Sequence, residues 1–147
     1  MTDEQESSEF DELIRELEEA IREDEKERYG EKMVKEALNP KNVGTLENLD
    51  GAASITDAHG DTMQIHLKVE VGRIADCKFI TDGRGPTIAF GSVITELVKG
   101  KTVEEAFKIE DKDIVAVLGG LPGDEEHTPE LAVNTLRAAL EDYKKKQ

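Results

Sequence analysis

Cysteine is almost absent from this chain, which has a single cysteine, Cys77, and no tryptophan in 147 residues. One cysteine excludes an internal disulfide, and the lack of disulfides suits a reducing compartment. No apolar run approaches the roughly 18 residues that a transmembrane helix needs, so we expect no membrane span. Because neither a basic flank nor an apolar stretch follows Met1, we also expect no signal peptide and a cytoplasmic location.

Basic residues are scarce as well. The chain has 19 Lys and Arg against 34 Asp and Glu, which gives a net charge of −15. Such a chain repels phosphate backbones, so nucleic acid is not an expected partner. The imbalance is greatest at the start, where residues 1–28 hold 13 acidic and 4 basic side chains. An acidic segment of this kind either docks on a basic protein surface or forms a solvated helix that promotes solubility.

The acidic segment has the pattern of an amphipathic helix. Ser8 is a candidate N-cap, and apolar residues then recur at three-to-four spacing: Phe10, Leu13, Ile14, Leu17, Ala20 and Ile21. The charged run at residues 22–28 follows as an exposed helical extension or hinge. We therefore divide the chain into a helical extension, residues 1–28, and a domain, residues 29–147. Residues 8–21 are expected to pack against a partner or a second copy.

Residues 29–147 predict an α+β domain with a small three-stranded antiparallel sheet covered by helices on one face. Extended segments are expected within residues 44–56, where the signal is weakest, and at residues 62–71 and 74–81. In the second of these, alternation puts five residues on the core face: Met63, Ile65, Leu67, Val69 and Val71. His66 would then face solvent, and Cys77 would lie in the core as a small hydrophobe. Helices are expected at residues 29–38, 86–99, 103–107, 111–118 and 129–144.

Two motifs in this domain are similar to those of a known family. Tyr29-Gly30-Glu31-Lys32 resembles a helix start, and Asn39-Pro40-Lys41-Asn42-Val43-Gly44 resembles an N-P-R-N-V-G motif, both from the IscU/NifU family of iron–sulfur scaffold proteins. The similarity continues to Tyr143. It implies the same α+β fold and a role in iron–sulfur cluster assembly.

Three further segments resemble the cluster-ligand segments of that family, in which each carries a cysteine. They read Asp57-Ala58-His59-Gly60-Asp61, Asp82-Gly83-Arg84-Gly85 and Glu126-His127-Thr128-Pro129. The ligand positions are thus occupied here by His59, Arg84 and Thr128. Iron–sulfur clusters require four good ligands, usually cysteine, so a stable cluster is not expected on this chain.

Three interpretations of this site remain open. In the first, the Arg84 guanidinium takes the place of the metal and pairs with Asp61 or Asp82. In the second, His59, Asp61 and His127 bind zinc or iron, although the cation of Arg84 opposes a metal ion nearby. In the third, Arg84, His127 and the helix N-termini bind a small anion.

The resemblance implies a non-enzymatic member of the iron–sulfur assembly pathway, because no Ser-His-Asp or Cys-His arrangement stands out. We expect a degenerate scaffold that acts through protein contacts, with a cysteine desulfurase or another assembly protein as partner. The alternatives are a His/Asp metal-binding protein for storage or delivery and a small-anion-binding protein.

Overall fold

The computed structural model describes the backbone of residues 3–120 and 129–147, and the side chains of those residues except 3–8 and 24–29. Helices flank three consecutive strands. In chain order the elements are α1 (Asp3–Tyr29), α2 (Glu31–Leu38), β1 (Gly51–Thr56), β2 (Thr62–Glu70), β3 (Arg73–Thr81), α3 (Pro86–Val98), α4 (Val103–Phe107), α5 (Asp111–Val117) and α6 (Glu130–Lys145).

The three strands form one antiparallel sheet in the order β1-β2-β3. Leu67 lies opposite Cys77, and Ile65 lies opposite Phe79, and these four side chains are buried on the same face. Helix α6 packs against β1 and β2, while α3 packs against β3. The predicted α+β class and the three-stranded sheet are therefore confirmed.

The hairpin between β2 and β3 ends one residue earlier than its sequence pattern predicts. Glu70 pairs with Arg73, which leaves Val71 and Gly72 as a two-residue turn with φ of 52° and 74°. Positive φ at both positions is typical of the turns that match strand twist, although a β-branched residue rarely adopts it. The placement of Val71 on the core face was wrong, since its side chain is 101% exposed.

His66 is buried, which corrects the expectation that it faces solvent. Its side chain is 8% exposed, and its Nδ1 accepts a hydrogen bond from the Leu46 backbone N–H at 3.0 Å. The cause is the segment before β1. The strand predicted within residues 44–56 occupies Gly51–Thr56, and the segment before it lies against β2, where Leu46 contacts His66.

The Asn39-to-Gly44 motif closes the free edge of β3. The Phe79 N–H donates to the Asn42 carbonyl at 2.9 Å, and the Gly44 N–H donates to the Phe79 carbonyl at 2.9 Å. The Asn42 side-chain amide also donates to Thr95 Oγ1 at 3.2 Å and to a Glu96 carboxylate oxygen at 2.9 Å. This last bond holds the pKa of Glu96 below its ordinary value. The motif thus satisfies an exposed strand edge and ties it to α3.

Helix α1 is continuous from Asp3 to Tyr29. Ser8 therefore lies inside the helix, so its assignment as N-cap was wrong. The charged run at residues 22–28 continues the helix, and the break comes at Gly30, whose φ of 92° favours glycine. None of the helices in the described ranges is long and apolar enough to cross a membrane.

Candidate functional site

The β1–β2 turn is shaped by the side chain of Asp57. One of its carboxylate oxygens accepts the backbone N–H of His59 at 2.9 Å and that of Asp61 at 3.0 Å. The Asp57 N–H in turn donates to the Asp61 carbonyl at 2.9 Å. Aspartate often forms such local bonds with following backbone groups. They hold His59 at the tip of the turn, where its side chain is exposed.

The loop between β3 and α3 lies beside that turn. Asp82 accepts the Thr62 backbone N–H at 2.7 Å, which joins the loop to the first residue of β2. Gly83 follows, and a Cβ at this position would lie 2.7 Å from Thr87 Cβ, so only glycine fits without movement. Helix α3 then begins at Pro86, directly after Gly85, because proline suits the first turn of a helix.

Thr87 connects the two loops. Its hydroxyl donates to the Asp61 carboxylate at 3.5 Å, a long contact that places the first turn of α3 next to the β1–β2 turn. The ligand-position residues His59 and Arg84 therefore stand on neighbouring loops at the same end of the sheet. The N-terminus of α3, which no described side chain caps, lies at this end together with three aspartates, Asp57, Asp61 and Asp82.

The ion pair of the first interpretation, between Arg84 and Asp61 or Asp82, does not form in this structure. Its side chain is exposed, and among the described residues no salt bridge joins it to Asp61 or Asp82. The carboxylates have other partners. Asp82 is turned back onto β2 by the Thr62 N–H, and Asp61 faces Thr87. The guanidinium is thus left at the tip of the loop, next to the start of α3.

The third ligand-like segment precedes α6. His127 and Thr128 lie outside the described residues, so the His59, Asp61 and His127 set is described only at His59 and Asp61. Within residues 3–120 and 129–147, no three His, Cys, Asp or Glu side chains are grouped so that they could hold a metal ion. Pro129 is the residue that caps α6, one position before the helix begins.

Cys77 lies apart from these loops, in the middle of β3. Its side chain is fully buried and faces the core opposite Leu67. Burial raises the pKa of its thiol far above the ordinary value, and the nearby charge of Asp76 adds to this effect, while Lys99 opposes it. Because the thiolate is the form that binds metals and attacks electrophiles, burial of the neutral thiol disfavours both reactions, which agrees with the core position that its strand predicts.

Sequence reasoning missed two residues that shape the site, Asp57 and Thr87. The signal for Asp57 was available, since an aspartate two residues before the turn tip and followed by Gly60 is typical of a side-chain-capped turn. Thr87 carries no comparable signal, because its role depends on the packing of Gly83 against the first turn of α3.

A three-stranded antiparallel sheet with helices on one face and polar loops at one end defines a small α+β domain. This chain belongs to the family described as NifU-like N terminal domain, whose model matches residues 28–147.

Individual relatives agree with that assignment. The chain is 43% identical over 119 residues to the iron–sulfur cluster assembly scaffold protein IscU 1 of Archaeoglobus fulgidus, covering 80% of this chain and 78% of that protein. It is 44% identical over 124 residues to a Drosophila melanogaster protein named iron–sulfur cluster assembly enzyme IscU, covering 81% and 80%. A crystal structure of a NifU-like protein from Brucella abortus has the same fold, with a TM-score of 0.58 at 16% identity over 80% of this chain and 94% of that one.

Proposed function

We propose that this chain is an iron–sulfur assembly protein of the scaffold type that acts through contacts with other proteins and does not itself carry a stable cluster. A role in iron–sulfur cluster assembly is supported by the similarity to relatives that are named as assembly proteins of this kind. The observation that carries the rest is that the single thiol of the chain, Cys77, is fully buried in β3. The resemblance places the cluster ligands at His59, Arg84 and Thr128, none of which is a cysteine. The buried Cys77 cannot reach these positions to replace them.

The chemistry of the loops supports this proposal. A cluster with sulfide bridges requires soft ligands, and thiolate is the ligand that such clusters share. Imidazole and carboxylate can replace part of that set, but an arginine cannot, since its guanidinium stays protonated and has no lone pair to offer. An exposed cation at Arg84 also disfavours an iron ion beside it. The same loops would instead present one cation and three carboxylates to a partner.

A cysteine desulfurase or another iron–sulfur assembly protein is the partner class that this proposal implies. Transfer of persulfide sulfur needs an acceptor thiolate, and Cys77 is too buried to serve. An encounter with a desulfurase would therefore leave the sulfur on the desulfurase. On this proposal the chain is not an enzyme, and it regulates or bridges other components of the pathway.

The test is reconstitution with ferrous iron and sulfide under anaerobic conditions, followed by visible absorption and by iron and sulfide analysis. The wild-type chain should show no cluster absorption. A variant with His59→Cys, Arg84→Cys and Thr128→Cys should gain it, because thiolates then occupy the three family positions. Stoichiometric iron and sulfide bound to the wild-type chain would refute the proposal.

One observation favours a second candidate, a His/Asp site for zinc or iron. His59 and Asp61 lie two positions apart in one turn, and both of their backbone N–H groups are held by Asp57. If His127 approached them, two imidazoles and a carboxylate would form a set that suits these metals. A small-anion site at Arg84 and His127 is the third candidate, and it would use the same helix N-termini.

A further inference from the structure

Helix α1 presents an apolar face that the described part of the chain leaves uncovered. Every side chain from Glu9 to Glu23 is exposed. The large apolar members of the stripe are between 39% and 62% exposed: Phe10, Leu13, Ile14, Leu17 and Ile21. The main contact of α1 is with α2. Exposed apolar residues that are contiguous on one helix face mark an interaction surface.

The charges that border this face have one sign. At 3.6 residues per turn, Glu9 and Glu16 lie along one edge of the stripe, while Asp11 and Glu18 lie along the other. The arginines of this segment, Arg15 and Arg22, project farther from the stripe. We name this surface, residues 9–21, the acidic-rimmed face. An apolar centre with carboxylates on both sides is complementary to an apolar surface bordered by cations.

The acidic-rimmed face is also an addition to the family domain. The family model begins at residue 28, and the relatives align with about four-fifths of this chain. Among the described residues, the buried core cluster draws on the sheet and on helices α2 to α6 and includes no residue of α1, so the stripe on α1 is not needed to complete it. Six apolar residues at helical spacing therefore serve something other than the core of this domain.

We infer that the acidic-rimmed face of α1 docks on an apolar surface of another protein that is bordered by lysine and arginine. Helix-in-groove recognition of this kind uses apolar anchors at i, i+3, i+4 and i+7, which is the spacing of Phe10, Leu13, Ile14 and Leu17. The carboxylate rims select the partner by charge.

Two other occupants fit the surface less well. A second copy of the chain would bring carboxylates of one α1 against those of the other, and like charges across a helix pair are unfavourable. An anionic bilayer would be repelled for the same reason, because interfacial helices carry lysine and arginine beside their apolar face. The rim thus argues against the self-association through residues 8–21 that the sequence left open.

The experiment uses the full chain and a fluorescent synthetic peptide with leucine and lysine in an amphipathic helical pattern. A leucine and glutamate peptide of the same pattern is the matched control. Fluorescence anisotropy should show saturable binding of the lysine peptide and none of the glutamate peptide. Leu13→Gln with Leu17→Gln should weaken the binding at least about tenfold. Circular dichroism of these variants checks that α1 keeps its helix, which glutamine favours.

A pair of charge variants separates docking from simple charge attraction. Glu9→Lys with Glu16→Lys reverses one rim and should weaken binding about tenfold. Glu12→Lys with Glu19→Lys makes the same change in net charge at the same spacing, but on the opposite side of the helix, and should change binding less than about twofold. Equal losses from both pairs, or no binding of the lysine peptide, would overturn the inference. So would self-association, seen by sedimentation equilibrium, that Leu13→Gln with Leu17→Gln abolishes, or tighter association with neutral phosphatidylcholine vesicles than with the peptide.

Discussion

The Leu46 backbone N–H donates to His66 Nδ1 at 3.0 Å, and this bond fastens the loop before β1 to the outer face of the sheet. The imidazole thus supplies the acceptor for a backbone N–H that lies outside the strands. Because the side chain of His66 is buried, losing this acceptor would cost more stability than losing one on an open surface, where water could replace it.

His66→Leu should therefore destabilise the protein by about 1–3 kcal/mol, since it leaves the Leu46 N–H without its acceptor in a part-buried site. His59→Leu is the matched control, because His59 is exposed at a turn tip and its replacement should change stability by less than about 0.5 kcal/mol. Urea unfolding of both variants gives the comparison. Equal midpoints would mean that the loop is held by other contacts.

Arg84→Ala should leave stability within about 0.5 kcal/mol of the wild type, because its side chain is exposed and forms no ion pair with the described residues, and such a side chain contributes little. Asp82→Ala should cost more, about 1 kcal/mol, since it removes the acceptor of the Thr62 N–H. Thermal unfolding of the two variants is the measurement. A large loss of stability on Arg84→Ala, with a small loss on Asp82→Ala, would instead support the first interpretation, in which Arg84 pairs with a carboxylate.

Zinc should not shift the thermal unfolding of the wild-type chain if Arg84 opposes a cation at the site. Arg84→Cys should create a saturable shift, because a repelling cation becomes a thiolate ligand. A ligand that binds only the folded state at about a hundredfold excess over its dissociation constant adds about 2.7 kcal/mol. Arg84→Ala separates loss of the cation from gain of the thiolate.

A wild-type response to zinc equal to that of the Arg84→Cys variant would show that Arg84 does not oppose metal binding. In that case the second candidate, a site at His59, Asp61 and His127, would replace the proposed function. His127→Ala would then have to abolish the response.

Cys77 should make stability fall at alkaline pH. Burial raises the pKa of its thiol in the folded chain, so the unfolded chain releases the proton first, near pH ~8.5. The contribution of the neutral thiol is complete below that pH and is lost progressively as pH rises above it. Cys77→Ala should flatten this part of the stability curve, measured by urea unfolding between about pH 7 and 10.

The same burial predicts slow reaction of Cys77 with a soluble disulfide reagent in the native chain and fast reaction in denaturant. Val71→Cys provides an exposed reference thiol at the hairpin tip, measured in a Cys77→Ala background. Native Cys77 reacting as fast as this reference would contradict its place in the core, and with it the argument that no thiol is free to hold a cluster.

Local pattern was sufficient for most of the fold. Alternation from Met63 to Val69 places β2 and its core face, Pro86 marks the start of α3, and Asn39-Pro40 ends α2. Each of these signals is local in sequence, since side-chain period and backbone restriction act over a few residues. The absence of thiolates at the ligand-like segments is likewise a property of the sequence alone, and so are the carboxylate rims of the apolar stripe on α1.

The tertiary structure decided whatever depends on residues that are distant in the chain. His66 is buried because a loop 20 positions away lies over it. The alternation of residues in β2 gives no sign of that loop. Within the described residues Arg84 has no ion pair with Asp61 or Asp82, because Asp82 accepts the Thr62 N–H and Asp61 faces Thr87, whereas the opposite charges by themselves favour such a pair. Opposite charges in neighbouring loops pair only if their geometry allows it, and competing backbone N–H donors set that geometry here.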